Sequence, residues 1–299
     1  GDDKAAHNDA QTILAKAKAI ADEQGVQATT LIVTGDTASV FVELSHNYNL
    51  IVIGNRGKGG LAERMLGTTS SSLPAAAYCP VVVIPYTDDS GKVMHLNNRI
   101  RRVVVGADES RWGVKAIETA AEFADHWGAM LTVLSAVPNL TSMTGTGASG
   151  IDNSEQNSVM ESYLEDLRSS IRPLHRKYPN LNITESVVEG SAIEALTQAS
   201  KDNDVVVVGS RGRGGFTGLI FGSVSQGLIQ HAVGPVYVVP RKYVESAESE
   251  SEEGTAQTAE NIPAVPLESV KGIQEVSISQ ADDNTAKGLS DIIDPPDRP

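Results

Sequence analysis

The 299-residue chain is long enough to form two domains of ordinary size, each with its own hydrophobic core. Its net charge of −14 is concentrated near the C-terminus, because residues 245–299 carry thirteen acidic and three basic side chains and leave a balance of only −4 on the rest. No basic face, membrane-spanning apolar run or signal-peptide pattern is evident, so we expect neither nucleic acid nor a membrane as a partner.

Hydrophobic periodicity predicts alternating helices and strands in the first 86 residues. A helix over residues 9–24 ends at Gly25, and the continuous apolar run at 50–53 is typical of a strand buried on both faces. The other predicted elements are a strand at 28–33, a helix at 37–48, a helix that follows a glycine-rich loop, and strand Val81–Ile84. Cys79 is the only cysteine, which favours a reducing, cytoplasmic compartment, and we expect it to be a small buried side chain.

Residues 99–243 are predicted to hold a complete alternation of strands and helices. The strands lie at 102–107, 130–137, 183–188, 205–208 and 236–239, and the helices lie after Ser110 and at 156–177, 192–199 and 224–232. This order predicts right-handed βαβ crossovers and a parallel sheet covered on both faces. Residues 87–98 are typical of a linker, and residues 139–153 of a mobile loop. The Glu- and Ser-rich residues 244–299 are predicted to be a disordered acidic tail.

One stretch occurs twice, at an offset of 155 residues and without a gap. Each copy has the pattern G-x2-G-x9-G-[ST], follows a short apolar strand and precedes a helix. The first copy runs from Gly54 to Ser70 and the second from Gly209 to Ser225. The offset puts the counterpart of residue 100 about 55 residues ahead of the first residue. We therefore expect the first domain to lack its opening strand, helix and second strand.

The physical chemistry of this loop suits phosphate. Glycine permits positive φ and close approach of the backbone to a ligand, and successive N–H groups in a turn form an anion-binding concavity. The start of the following helix adds free N–H groups and the positive end of its dipole. In the second copy, the hydroxyls of Ser223 and Ser225 add donors, and Arg211 and Arg213 add charge. The alternative is a structural turn that merely lets the helix pack closely.

The motif, its flanking strands and its doubling resemble the universal stress protein family, in its tandem-domain form and its ATP-binding branch. The resemblance covers about residues 10–242. It implies two repeated α/β domains of the adenine nucleotide alpha hydrolase-like type, each an open five-stranded parallel sheet with helices on both faces. We expect domain 1 at 1–86, truncated, a linker at 87–98, domain 2 at 99–243 and the disordered tail at 244–299.

The resemblance also implies where domain 2 binds a nucleotide. Strand one lies beside strand four, the acid after strand one contacts the nucleoside, and the end of strand two lines the adenine; here these positions are Asp108 and Val137. A carboxylate accepts hydrogen bonds, which suits ribose hydroxyls or an adenine amino group, although Asp108 could instead cap the next helix. We expect ATP, with Mg²⁺ shared with its phosphates. The expected binding residues are Gly106, Asp108, Val137, Gly209, Arg211, Gly212, Arg213, Gly214, Gly222, Ser223, Val224 and Ser225.

Domain 1 keeps the glycine loop without the acid or the adenine wall. Thr69 stands where the second copy has Val224, and Pro74 falls inside the helix, where it removes an N–H and should kink the helix. We therefore expect only a weak half-site in domain 1. Its residues are Gly54, Gly57, Gly59, Gly67, Thr68, Thr69 and Ser70.

The leading interpretation is an ATP-binding regulatory protein of the stress response, without a catalytic residue and with at most slow ATP hydrolysis. The six histidines show no metal-ligand spacing. One alternative is a weak ATP hydrolase or nucleotide transferase, but Gly106-Ala-Asp-Glu-Ser110 lacks the Ser-Gly-Gly loop of the adenylating relatives of this fold. The other is a nucleotide-free interaction module, in which the apolar strands Val81–Ile84 and Val236–Val239 pair the domains with each other or in a homodimer.

Overall fold

The computed structural model describes residues 2–56, 67–86, 99–137, 153–212, 221–252 and 273–275. These residues fall into two compact units that divide between Asp36 and Thr37, with residues 273–275 in the first unit. The larger unit alternates helices and strands, which confirms the predicted α/β architecture. In chain order its elements are α2 (Thr37–Leu44), β2 (Ile51–Gly54), α3 (Thr68–Ala76), β3 (Val81–Ile84), β4 (Arg102–Ala107), α4 (Arg111–Trp127), β5 (Met130–Val137), α5 (Asn153–Lys177), β6 (Ile183–Glu189), α6 (Ala192–Ala199), β7 (Val205–Gly209), α7 (Ser223–His231), β8 (Val236–Val239) and α8 (Arg241–Glu252).

The strands of the larger unit form one seven-stranded sheet in the order β2-β3-β8-β7-β4-β5-β6. The five strands of the second repeat, β4 to β8, are all parallel, as the sequence predicts. The expected separate five-stranded sheets are replaced by a continuous one because β3 and β8 pair antiparallel, with Val82 opposite Tyr237. Without this pairing, β3 and β8 would each be the edge strand of a sheet, and the pairing provides hydrogen-bond partners for their backbone groups.

Helices cover both faces of this sheet, because its apolar strands bury alternate side chains on opposite sides. Val103 and Val105 lie in a core cluster with α4, α5 and α8. Val104, between them, lies in the other cluster, with α3, α6 and α7. The apolar runs at 81–84, 205–208 and 236–239 are therefore strands buried on both faces. The run at 50–53 was predicted to be one as well, but that prediction was wrong, because Val52 on β2 is 58% exposed.

The smaller unit contains helix α1 (Asp2–Glu23) and strands β1 (Leu31–Val33) and β9 (Ile273–Glu275). Gly25 follows α1 with φ +68°, which confirms it as the end of the helix. The sequence predicted a parallel sheet partner for β1 and disorder for residues 273–275, whereas β1 and β9 pair antiparallel. The 155-residue offset makes β6 the counterpart of β1, and β6 pairs in parallel with β5.

The acidic tail does not begin at residue 244, because Arg241–Glu252 form helix α8. Val244 is only 2% exposed within the core cluster, and Tyr243 packs against the same cluster. The Lys242 ammonium donates a hydrogen bond of 3.2 Å to the hydroxyl of Tyr78, in the first repeat. The apolar pair Tyr243-Val244 thus orders a segment whose Glu-rich composition predicts disorder.

Several element boundaries also differ from the predictions. α5 begins at Asn153, three residues earlier than predicted, and ends at Lys177 as predicted, with Pro173 inside it. α3 likewise contains Pro74 and continues to Ala76. α2 ends at Leu44, four residues earlier than predicted. The linker at 87–98 and all but the last residue of the predicted loop at 139–153 lie outside the described residues. Cys79 is 3% exposed, and burial raises the pKa of its thiol to about 11, as expected for a structural cysteine.

We expect the Tyr237 ring to be a main support of the junction between the repeats. It is 7% exposed on β8, and its centroid lies 5.3 Å from that of the Phe123 ring. Tyr237→Ala should lower the free energy of unfolding by about 3–5 kcal/mol in urea denaturation, because it leaves a cavity. Tyr237→Phe is the matched control and should change it by less than about 1 kcal/mol. A cost below about 1 kcal/mol for Tyr237→Ala would contradict this role.

Candidate functional site

A cavity of about 400 Å³ lies at the carboxyl ends of β4, β5 and β7. β4 and β7 are adjacent and parallel, with Val105 opposite Val207, so the segments that follow them meet across the same crevice. The described lining residues are Gly106, Ala107, Asp108, Gly113, Leu134, Ala136, Ala192, Leu196, Val208, Gly209, Arg211, Gly212, Phe221, Gly222, Ser223, Val224 and Ser225. The cavity brings together the segment around Asp108, the first part of the glycine loop and the start of α7.

Asp108 lies at the wall of the cavity, between α4 and the glycine loop. Its Oδ1 accepts hydrogen bonds from the backbone N–H of Ser110, at 3.1 Å, and from the Ser110 hydroxyl. Ser110, rather than Asp108, is the N-cap of α4, since its Oγ accepts from the N–H of Gly113 at 3.0 Å. On the other side of the carboxylate, a Cβ at Gly212 would overlap Oδ2. The Asp108 side chain thus lies at the cavity wall, and it also holds the cap residue Ser110.

The described loop glycines serve close packing rather than positive φ. Among the described glycines, positive φ occurs at Gly25, Gly35, Gly128 and Gly190, so Gly54, Gly67, Gly209, Gly212 and Gly222 do not have the positive φ that was expected of the loop. A Cβ at Gly209 would lie 3.0 Å from the Arg211 carbonyl oxygen and 3.2 Å from that of Trp112. A Cβ at Gly222 would lie 3.1 Å from the Ser210 carbonyl oxygen. The absence of side chains lets the two ends of the loop and α4 approach each other.

Ser210 joins the loop to β8 and α8, a role that the motif analysis missed. It is fully buried, its N–H donates to Val239 at 2.8 Å, and its carbonyl accepts from the N–H of Gly222 at 2.8 Å. Its Oγ accepts from the N–H of Arg241 at 2.8 Å. The signal in the sequence is a small hydroxyl residue directly after the last glycine of a buried strand.

The start of α7 supplies the other wall of the cavity. Gly222 is its N-cap and provides no side-chain acceptor, so the N–H groups of Ser223, Val224 and Ser225 precede the first intrahelical bond, which Gln226 makes to Gly222. The Ser223 side chain is exposed. The Ser225 hydroxyl differs from the prediction, because it is buried and donates to the carbonyls of Gly222, at 3.0 Å, and Ser210, at 3.4 Å. Its contribution to a ligand is therefore its backbone N–H.

The strand side of the cavity is apolar. Val137 is 2% exposed and is not a lining residue, whereas Leu134 and Ala136 on the same strand are. The pleat separates them, because successive residues of a strand face opposite sides. Gly106 lines the cavity as expected, and a Cβ there would lie 2.7 Å from Leu196 Cδ1. Leu134, Ala136, Ala192, Leu196, Val208 and Phe221 are lining residues that the motif does not mark.

The first repeat reproduces the hydrogen bonds of the loop, and none of its described residues lines this cavity. Asn55 is the counterpart of Ser210: its N–H donates to Ile84 at 2.8 Å, its carbonyl accepts from Gly67 at 3.2 Å, and its Oδ1 accepts from the N–H of Tyr86 at 3.0 Å. The Ser70 hydroxyl donates to the carbonyls of Gly67 and Asn55, at 2.9 and 3.0 Å, as Ser225 does in the second repeat. Gly54 ends β2, and Thr68 and Thr69 open α3. Gly57, Gly59, Arg213 and Gly214 lie outside the described residues.

Within the described ranges, no three side chains of His, Cys, Asp or Glu are grouped so that they could hold a metal ion. Of the helices in the same ranges, none combines the length and apolar character that crossing a membrane requires.

Comparison with known proteins gives one consistent family. The sequence profile described as "Universal stress protein family" matches residues 1–85 and 99–240. A universal stress protein of Mycolicibacterium smegmatis is 30% identical over 223 residues, which cover 75% of this chain and 72% of that protein. One from Mycobacterium tuberculosis is 33% identical over 207 residues, which cover 69% of this chain and 66% of the relative. The crystal structure of a universal stress protein from Archaeoglobus fulgidus is similar in fold, with a TM-score of 0.57 and 21% identity, and the match covers 79% of this chain and 77% of the other.

We expect Ser210→Ala to destabilise the protein by about 1–3 kcal/mol, because it leaves the part-buried N–H of Arg241 without its acceptor. Urea denaturation measures this change in the free energy of unfolding. Gln230→Ala, at an exposed position on α7, is the control and should stay within about 0.5 kcal/mol of the wild type. Equal stability of the two variants would show that Ser210 does not join the loop to α8.

Proposed function

Because the chain belongs to the universal stress protein family, we propose that it is a regulatory protein of the stress response that binds ATP in the cavity of its second repeat. The proposal rests on one observation, which is that three features line the same cavity: the Asp108 carboxylate, the described part of the glycine loop, and the start of α7, which has no side-chain cap. The cavity volume of about 400 Å³ lies within the usual range for small-molecule sites.

The triphosphate is assigned to the glycine loop and the start of α7. The backbone N–H groups of Ser223, Val224 and Ser225 supply donors and the positive end of the helix dipole. Arg211 lines the same cavity and supplies a positive charge. Since Gly212 and Gly222 leave no space for a Cβ, the backbone itself forms this wall. Mg²⁺ would be held by phosphate oxygens and water, which agrees with its preference for few protein ligands.

The nucleoside is assigned to Asp108 and the apolar wall. The carboxylate oxygens accept hydrogen bonds and therefore suit the ribose hydroxyls or the adenine amino group. Leu134, Ala136 and Leu196 offer an apolar surface for the flat faces of the base. In this assignment Val137 does not contact the adenine, and its neighbour Ala136 takes that place.

The proposal treats ATP as a regulatory ligand and assigns no residue to catalysis. Bound nucleotide would be hydrolysed slowly or not at all. Weak ATP hydrolysis or nucleotide transfer at the same cavity is the enzymatic alternative. The proposal also includes a cytoplasmic location, for which the single buried cysteine is the supporting observation.

A second candidate function is an interaction module built on paired strands. The antiparallel pairing of β3 with β8 favours contact between the two repeats of one chain over a homodimer formed through the same strands, because each strand already has a partner on that side. In this candidate the cavity would bind no nucleotide. We retain adenine nucleotide as the proposed partner and expect neither nucleic acid nor a membrane, since the charge outside the tail is weakly negative.

Isothermal titration calorimetry of the full chain with ATP tests this function. Asp108→Ala should weaken binding about tenfold to a hundredfold, because a hydrogen bond to a charged group is lost. Gly212→Val should abolish binding, since its side chain would occupy the space against Asp108. Glu109→Ala is the matched control, an exposed acid beside Asp108 that does not line the cavity, and should bind as the wild type does.

Unchanged affinity in both Asp108→Ala and Gly212→Val would contradict the proposed site. No ATP binding by the wild type would favour the interaction module. Multiple-turnover release of phosphate, lost in Asp108→Ala, would favour the enzymatic alternative.

A further inference from the structure

We propose that Ser110 is a positioning residue that fixes the carboxylate of Asp108 for the nucleoside, so that the N-cap of α4 is part of the binding site. The inference rests on the proposed function and extends it to a residue outside the glycine motif. Its basis is a chain of hydrogen bonds that begins in the first turn of α4 and ends at the cavity wall.

The hydrogen bonds around Ser110 show which group donates and which group accepts. The N–H of Gly113 donates to Ser110 Oγ at 3.0 Å, which leaves the Ser110 hydroxyl proton to be donated elsewhere. That proton is donated to Asp108 Oδ1, and the N–H of Ser110 donates to the same oxygen at 3.1 Å. Two donors on one oxygen hold the carboxylate in a single orientation, because rotation about its side-chain bonds would break both bonds.

Close packing enforces the same orientation. A Cβ at Gly113 would overlap Asp108 Oδ1, and a Cβ at Gly212 would overlap Oδ2. The carboxylate therefore lies between the backbone of α4 and the backbone of the glycine loop, with both glycines providing its space. Since Asp108 and Gly212 both line the cavity, this arrangement aligns the acid with the loop that is assigned to the phosphates.

A purely structural role for Ser110 predicts a different response to substitution. As an N-cap, Ser110 needs only an acceptor for the N–H of Gly113, and Asp supplies one as well as Ser does. As a positioning residue it must also donate to Asp108, which an ionised Asp at position 110 cannot do. Ser110→Asp thus keeps the cap, removes the donor and adds repulsion against Asp108. Ser110→Thr keeps both functions.

The test combines binding with a signal from the carboxylate itself. In the full chain, Ser110→Asp should weaken adenosine binding at least tenfold, and Ser110→Thr should restore it to within about threefold of the wild type. Adenosine is used beside ATP because it carries no charge, so simple repulsion of phosphates by the new carboxylate would weaken ATP alone. In nucleotide-free protein, the side-chain ¹³C resonance of Asp108, assigned through Asp108→Asn, should shift in Ser110→Asp and remain in place in Ser110→Thr.

The outcomes separate this inference from the proposed function. Wild-type adenosine affinity and an unshifted Asp108 resonance in Ser110→Asp would overturn the positioning role while ATP binding stands, and so would a loss confined to ATP. If the wild type binds neither ATP nor adenosine, the proposed function fails. The Asp108 resonance then decides alone whether Ser110 orients the carboxylate: a shift in Ser110→Asp supports that role and an unchanged signal overturns it.

Discussion

The parallel pairing of β4 with β7 is the constraint on which the site depends. It places the residues after two strands that are far apart in sequence at one edge of the sheet, so that Asp108 meets Gly212. The contact is close enough that a Cβ at Gly113 or at Gly212 would overlap a carboxylate oxygen of Asp108. A carboxylate packed in this way against backbone is costly unless it is hydrogen-bonded, and Ser110 supplies two donors.

The two repeats share their hydrogen bonds more closely than they share their side chains. Asn55 and Ser210 differ in type, yet each accepts a backbone N–H through its side chain and joins the two ends of its loop. Ser45 and Ser200 likewise accept from the N–H groups of Tyr78 and Val233. These bonds fix the turn in both repeats, so a glycine loop of this kind needs a second element, here Asp108 and the apolar wall, before it can select a nucleotide.

The sequence predicted the alternation of strands and helices and the glycine loop, because periodicity and glycine spacing are local signals. The resemblance to the family, rather than a local signal, implied that β4 lies beside β7. The prediction failed where contacts between residues that are distant in sequence determine the structure. The order of α8 around Val244 and the pairing of β1 with β9 leave no local pattern. For β3 and β8, the apolar strands indicated a pairing surface but did not decide between pairing within one chain and pairing in a homodimer. At the site, the strand pleat makes Ala136 rather than Val137 a lining residue of the cavity, and the described loop glycines lack the expected positive φ.

A crystal structure of the full chain with ATP and Mg²⁺ tests the central claim most directly, because it locates each part of the ligand. The account predicts phosphate oxygens within hydrogen-bond distance of the N–H groups of Ser223, Val224 and Ser225. It also predicts that a nucleoside donor lies on the Asp108 carboxylate, with the base against Ala136 and Leu196. ATP bound elsewhere on the chain, or a nucleoside turned away from Asp108, would contradict it.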